Sequence, residues 1–190
     1  LGDRDDDVAY AAVGALSAMG VPKADLRSTR LRLARSNDGF IAFYALRALH
    51  PDPELPIDDA LGAASSALNL VASGRPSDMK TRDSLRTNAK AFLDGFAEKS
   101  GREGFEALMA AFPRTSPPAR EAIASALDRM PPQYGDPVQI AALLDSPQIW
   151  VRRSALYALT DYKERAAPVV DRMVALLAVN HEPDLRKTAA

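Results

Sequence analysis

Few residues of this chain are of a type that performs covalent or metal chemistry. The 190 residues include no cysteine and only two histidines, His50 and His181. The lack of cysteine excludes disulfides, thiolate-bound zinc, iron–sulfur clusters and a cysteine nucleophile. The single His-Glu pair at 181–182 supplies too few ligands for a metal centre. Because no Ser/His/Asp set, phosphate-binding glycine loop or paired-carboxylate motif is present, we predict no catalysis, no cofactor and no metal.

An acidic run near the amino terminus also argues against a metal site. Asp3, Asp5, Asp6 and Asp7 resemble the start of a calcium loop in composition alone. An EF-hand requires a central glycine and a distal glutamate, and neither is correctly placed here. We expect these carboxylates to favour the positive end of the following helix dipole instead.

Charge and hydropathy limit the classes of partner. The chain has 24 basic and 25 acidic side chains and a net charge of -1. Nucleic-acid binders usually carry a clear basic excess, because contacts with phosphates supply much of their affinity. No apolar run approaches the roughly 18 residues of a membrane-spanning helix. We therefore expect a cytoplasmic protein that binds another protein, with no membrane contact and with nucleic acid as the less favoured partner.

The residues suited to binding a partner are cationic and aromatic. Arg82, Arg86 and Lys90 follow one another at helical spacings of four, and we expect no carboxylate at those spacings to neutralise them. Arginines also recur one residue after the start of successive apolar stripes, at Arg86, Arg120, Arg152 and Arg186. This ladder could bind an anionic partner, or each arginine could pair with an aspartate of a turn.

The only tryptophan, Trp150, begins a predicted helix beside a turn. Tryptophan is enriched at the energetic centres of interfaces, but Trp150 could equally fill a gap between helices. Arg153 lies on the same helix. The candidate partner-binding residues are thus Arg82, Arg86, Lys90, Arg120, Trp150 and Arg153.

The elements that must position these residues repeat along the chain. One pattern of apolar residues, with offsets of 0, 4, 7, 8 and 11, is typical of one face of a helix. Its copies begin at Val8, Ile41, Leu85, Ala119, Val151 and Leu185, and their spacing is nearly constant except between the second and third copies. The first copy comprises Val8, Ala12, Ala15, Leu16 and Met19. The longest interval contains a proline-rich insertion from His50 to Asp58.

Other apolar stripes alternate with this set, and turn residues such as Gly101 separate them. Each unit therefore consists of a first helix, a turn and a second helix. We predict second helices near 5–19, 38–50, 79–98, 117–130, 148–162 and 183–190. No segment resembles a strand, so the predicted class is all-α, an α–α superhelix (solenoid) of about five to six stacked helix pairs over residues 1–190.

The segment Asp145–Leu159 resembles the turn and second helix of a HEAT repeat. The HEAT-like repeats of the phycobilin lyases belong to the same family of motifs. The resemblance rests on an aspartate in the turn, a Val-Arg pair, and alanine and leucine at helical spacing. It implies a curved superhelix whose second helices line the concave face, and a non-catalytic role as a protein-interaction scaffold. The alternatives that the resemblance leaves open are nucleic-acid binding by basic second-helix residues and a lyase-type enzyme.

Neither end of the repeat pattern has the polar capping unit that a solenoid requires. We therefore expect the sequence to be an excerpt of a longer array. Its ends would then pack against the rest of that chain or against a second copy.

Overall fold

The computed structural model describes residues 6–49, 52, 54–75 and 78–179, and all regular secondary structure within these ranges is helical. The all-α prediction is confirmed. The chain forms two compact units, Leu1–Phe96 and Ala97–Ala190. A single array over residues 1–190 stays a prediction, and the helix predicted near 183–190 lies outside the described residues.

The first unit has helices that contact both the next helix and the next but one. Its complete helices are α1 (Asp6–Ala18), α2 (Lys23–Ala34), α3 (Gly39–Leu49) and α4 (Ile57–Ala72). Helix α2 packs on α1 and α3, while α3 also contacts α4. In addition α1 contacts α3, and α2 contacts α4. The first part of α5 (Met79–Ala111) completes this unit.

The second unit contains the rest of α5 followed by shorter helices. These are α6 (Pro117–Arg129), α7 (Pro137–Ala141), α8 (Ile149–Asp161) and α9 (Val170–Val179), with 3₁₀ segments at Phe112–Arg114, Pro132–Tyr134, Ala142–Asp145 and Lys163–Val169. Helices α6 and α8 pack side by side, and α7 packs on α8. The most extensive helix contact in the described part of this unit is thus between two of the predicted second helices.

Helix α5 is interrupted at Gly101. Its φ of 59° and ψ of -147° are not helical. This region of backbone space is essentially restricted to glycine, so the residue type determines where the helix breaks. The apolar stripe that begins at Leu85 lies before the break, and the stripe that begins at Phe105 lies after it.

Small and branched apolar residues form the core. The predicted stripe is buried along α6, and so is the stripe that runs from Val151 to Tyr162 along α8. The alanines among these positions, such as Ala119, Ala126 and Ala155, expose 0 to 2% of their surface. Alanine at a helix contact lets two helix backbones approach closely, and branched residues then fill the remaining space.

The apolar stripe predicted for α1 is not its buried face. Val8 is 51% exposed and Met19 is 78% exposed, whereas Ala9 and Val13 are buried. Helix α1 packs on α2 and α3, and those contacts select the face that carries Ala9 and Val13. The prediction was wrong because α1 has apolar residues on more than one face, and periodicity alone does not reveal which face meets a neighbour.

The insertion between α3 and α4 is attached to α2 by a charged pair. Arg27 donates from Nε to Asp52 Oδ2 at 2.7 Å and from Nη2 to Asp52 Oδ1 at 3.0 Å. The Asp52 side chain is only 9% exposed, and the hydrogen bonds from Arg27 lower the pKa of its carboxyl group. Leu55 is buried as well, so the described part of the insertion packs on the fold.

One arginine of α2, Arg30, is buried with few hydrogen bonds to offset the loss of its hydration. Arg30 is 6% exposed, and its Nη2 donates to Ser17 Oγ at 2.9 Å. Its Nε is buried without a hydrogen bond among the described residues. Burial lowers the pKa of Arg30, and the nearby charge of Asp52 opposes this effect. A buried guanidinium without its own carboxylate costs free energy, because the charge loses its hydration.

We therefore expect Arg30→Met to leave the free energy of unfolding unchanged or to raise it by about 1–2 kcal/mol, since an apolar chain of similar length replaces a poorly paired buried charge. Urea unfolding followed by circular dichroism measures this change. Arg47→Met, at an exposed position of α3, is the matched control. A loss of stability in the Arg30 variant alone would show that the buried charge is stabilising.

Tyr162, which follows α8, packs where only glycine leaves room. A Cβ atom on Gly135 would overlap the Tyr162 hydroxyl oxygen. Tyr162 is 5% exposed, and burial raises its pKa to about 12. Arg165 covers the ring at 5.3 Å from its centroid and donates to the carbonyl oxygen of Pro132 at 2.7 Å. The turn after α6 is thereby attached to the end of α8.

This raised pKa predicts alkaline sensitivity. The pKa of tyrosine is 10.0 in the unfolded chain and about 12 for Tyr162 in the fold. The native state thus binds its phenolic proton more tightly, so stability is intact below pH 10 and decreases as the pH approaches 12. A two-unit difference corresponds to roughly 2–3 kcal/mol. Chemical unfolding between pH 8 and 12 should show this decrease, and Tyr162→Phe should reduce it by that amount. If the free energy of unfolding depends on pH equally in the native protein and in the Tyr162→Phe variant, the raised pKa of Tyr162 would be contradicted.

Candidate partner-binding site

An aromatic and cationic surface lies on the exposed side of α8. Trp150 is 56% exposed, and Tyr157 is 38% exposed, two helical turns further along. Between them the guanidinium carbon of Arg153 lies 5.4 Å from the centroid of each ring. We call Trp150, Arg153 and Tyr157 the α8 surface. The spacing of three and four residues places all three side chains on one helix face.

The opposite side of α8 explains why these large side chains point outwards. Val151, Ala155 and Leu159 are buried there, in the contact with α6 and α7. That side presents small and branched residues to the neighbouring helices. Trp150 is therefore not a filler between described helices, and of the two alternatives for this residue the structure favours the exposed one.

Arg153 is ordered by the rings and has spare hydrogen-bonding capacity. Its Nη2 donates to Tyr157 Oη at 3.3 Å, and the two rings hold the plane of the guanidinium group by cation–π contact. A guanidinium has five N–H donors and no acceptor. No carboxylate within the described part of the chain forms an ion pair with Arg153. The remaining donors suit an acceptor on another molecule.

The first unit has an exposed aromatic cluster of its own. Tyr10 of α1 lies with its ring centroid 6.2 Å from that of Phe40 and 5.9 Å from that of Tyr44. Phe40 is 54% exposed and Tyr44 is 36% exposed. Phe40 and Trp150 each come one residue before a copy of the repeated stripe. That shared position was the signal in the sequence by which Phe40 could have been found beside Trp150.

The predicted basic stripe of α5 (Arg82, Arg86 and Lys90) lies in the first unit, and its side chains are only partly exposed to solvent. Arg86 is exposed, whereas Arg82 and Lys90 are half-buried. The carboxylate of Asp78 accepts from the backbone nitrogen of Thr81 at 2.7 Å, and its pKa is lowered by those Thr81 hydrogen bonds and, to a smaller extent, by the charge of Arg82. The expectation that no carboxylate lies at these spacings was wrong, because Asp78 precedes Arg82 by four residues and Asp94 follows Lys90 by four.

Two members of the arginine ladder bind carbonyl groups of the preceding turn. Arg120 donates from Nε to the Phe112 oxygen at 3.2 Å and from Nη2 to the Pro113 oxygen at 3.1 Å. Arg152, at the same position of the next stripe, donates from Nη1 to the oxygens of Ser146 and Pro147 at 2.9 and 3.0 Å. These bonds favour a structural role for Arg120 and Arg152. These contacts are with the backbone of the turn, and the expected pairing with a turn aspartate stays a prediction. Arg186 lies outside the described residues.

The described ranges offer neither a metal site nor a membrane-spanning helix. Residues 6–49, 52, 54–75 and 78–179 contain no group of three or more His, Cys, Asp or Glu side chains that could hold a metal ion. Within those ranges no helix has both the length and the apolar character required to cross a bilayer. Both histidines and the carboxylates of Asp3 and Asp5 lie outside the described residues.

Comparison with known proteins gives no assignment. No protein-family model matches the sequence, and no curated protein matches it either. The resemblance to HEAT repeats therefore stays a prediction.

The bonding of the ladder predicts which arginines stabilise the fold. Arg120→Ala and Arg152→Ala should each lower the free energy of unfolding by about 1–2 kcal/mol, because each change leaves turn carbonyls without a charged donor. Arg86→Ala should change it by less than about 0.5 kcal/mol, since the side chain is exposed. Urea unfolding of the three variants measures these differences. An equal effect at all three positions would contradict a structural role specific to Arg120 and Arg152.

Proposed function

We propose that this protein is a non-catalytic interaction scaffold that binds another protein through the α8 surface. The observation that carries the proposal is the exposed stack of Trp150, Arg153 and Tyr157. Tryptophan, tyrosine and arginine are the residue types most enriched among the energetic centres of protein interfaces. Leaving an indole more than half exposed costs hydrophobic free energy, which a bound partner would recover.

The chemistry of the α8 surface suggests what the partner presents. The indole and phenol rings supply apolar area, and the stacked guanidinium of Arg153 supplies donors in a planar fork. A carboxylate matches that fork with two parallel hydrogen bonds. We therefore propose a protein segment with an acidic residue next to an apolar or aromatic residue. Stacking already restricts Arg153, so less side-chain entropy is lost when the partner binds.

The packing of each unit supports a repeat scaffold of the HEAT type. Contacts between α1 and α3, and between α6 and α8, join predicted second helices side by side. Arg120 and Arg152 make the same kind of contact at equivalent positions of successive stripes. A surface built on such helices is rigid, and a rigid surface binds without a large ordering cost.

A peptide selection tests the proposal. Random peptides displayed on phage are selected on the full chain, and the affinity of enriched peptides is then measured by fluorescence anisotropy. We expect sequences with an acidic residue next to an apolar one. Trp150→Ala and Arg153→Gln should weaken their binding by about 10-fold or more, as is usual for residues at an energetic centre of an interface.

Matched control variants distinguish binding at the α8 surface from non-specific binding. Arg114→Gln removes an exposed charge from the same unit, and Val138→Ala removes apolar surface at a residue that is 56% exposed like Trp150. Both should change the affinity less than about 2-fold, in line with surface positions away from a binding centre. Peptides that bind the Trp150 and Arg153 variants as well as the native chain would refute the proposed site. If no peptide is enriched and the chain instead retains nucleic acid that nuclease removes, nucleic-acid binding would be favoured.

A further inference from the structure

The first unit contains a polar cleft that shares no residue with the candidate partner-binding site. It lies between the turn after α2 and the last turns of α4 and has a volume of about 310 Å³. Apart from Leu70 its walls are polar. The side chains that could donate hydrogen bonds to a ligand are those of Arg35, Arg75, Ser36, Ser66 and Asn37. The described walls contain no carboxylate. We call this the Arg35–Arg75 cleft.

The donors of the cleft are largely unused. The side chains of Arg75 and Ser66 make no hydrogen bond or ion pair among the described residues. Ser36 Oγ accepts from the backbone nitrogen of Asp38 at 3.1 Å, which leaves its hydroxyl proton available. Ser73 differs, since its hydroxyl donates to the Leu70 oxygen at 2.8 Å. The groups available to a ligand are therefore two guanidiniums, two hydroxyls and an amide.

The tip of the Arg35 side chain lies close to a glycine of α4. A Cβ atom on Gly62 of α4 would lie 2.8 Å from Arg35 Nη2, so the guanidinium lies directly against the helix backbone. Its carboxylate contact is long, at 3.4 Å to Asp59 Oδ1, and both side chains are more than one-third exposed. Such exposed pairs are weak, and an anion with more charge competes well with them.

We propose that the Arg35–Arg75 cleft binds a phosphate monoester. Two guanidiniums from different segments can each contact two oxygens of one phosphate, and a carboxylate has only two oxygens to offer. The hydroxyl and amide donors match the third terminal oxygen. The volume of about 310 Å³ leaves room for the group that bears the phosphate. The cleft is open to solvent, so the affinity for the phosphate group alone is weak.

The proposal does not depend on the α8 surface, because every lining residue lies in the first unit. The monoester could be a small metabolite or a phosphorylated serine of a protein. The shared chemistry is the phosphate group, and free O-phosphoserine and a short phosphoserine peptide are the probes that distinguish the two sources. Stronger binding of the peptide would assign the site to a protein, and equal binding would assign it to a small molecule.

Amide NMR titration of the full chain tests the site directly. We expect inorganic phosphate and O-phosphoserine to shift the amide signals of Ser36, Asn37 and Ser66 with dissociation constants of about 1 mM, a value reasonable for a phosphate in an open site. Acetate at the same ionic strength should shift them at least 5-fold more weakly. Equal binding of acetate and phosphate, or shifts spread over all exposed arginines, would overturn the proposal.

Two variants with matched controls distinguish a built site from general positive charge. Arg75→Gln should weaken phosphate binding about 5- to 10-fold, whereas Arg47→Gln, which removes an exposed charge elsewhere in the first unit, should not change it. Gly62→Ala retains every charge and requires only the tip of the Arg35 side chain to shift, so it should weaken binding by no more than about 2-fold. Gly14→Ala makes the same substitution in α1, where a Cβ atom meets nothing within 4 Å, and should have no effect. Unchanged binding in the Arg75 variant, or an equal loss in the Arg47 variant, would overturn the assignment.

Discussion

Close contact between helices over alanine is the constraint on which the rest of the structure depends. Ala119, Ala126 and Ala155 are buried to within 2% where α6 and α8 lie side by side, and Ala60, Ala63 and Ala64 expose no surface along α4. With a side chain of one carbon, two helix backbones can approach each other closely, and the interior is filled at crystalline density. Gly135 is needed for a related reason, since a Cβ atom there would overlap the hydroxyl oxygen of the buried Tyr162.

Aromatic side chains lie both inside the fold and on its surface. Phe105 and Tyr162 are buried, whereas Trp150 is on the outer side of α8 beside the fully buried Val151. Phe40 and Ile41 divide in the same way on α3. Each of these exposed aromatic residues thus precedes a buried branched residue of the same helix. They provide the apolar area from which an interface can be built.

The arginines differ in role because the backbone places different partners within their reach. Arg120 and Arg152 meet the carbonyl groups of a turn, and Arg27 meets the carboxylate of Asp52. Arg30 of α2 is buried against a hydroxyl acceptor of α1, Ser17 Oγ. Arg153 is held by two aromatic rings on the outer side of α8. Net charge, which is close to zero, indicates none of these differences. The side chains are chemically the same, and only their surroundings decide between stabilising a turn and binding another molecule.

The sequence by itself determined the helical class, the buried stripes of α6 and α8, and the break at Gly101. These features depend on local properties: apolar periodicity, helix propensity and the glycine-only backbone at residue 101. It also indicated Trp150 and Arg153, because residue type alone makes them candidates for an interface. Only the tertiary structure decided that α1 buries Ala9 and Val13 and not Val8 and Met19, since that choice depends on the neighbouring helices. It alone brought Arg35 and Arg75 to one cleft, because residues so far apart in the chain meet only when α2 and α4 pack together. Periodicity specifies a helix and its faces, whereas the partners of each face depend on contacts that are distant in sequence.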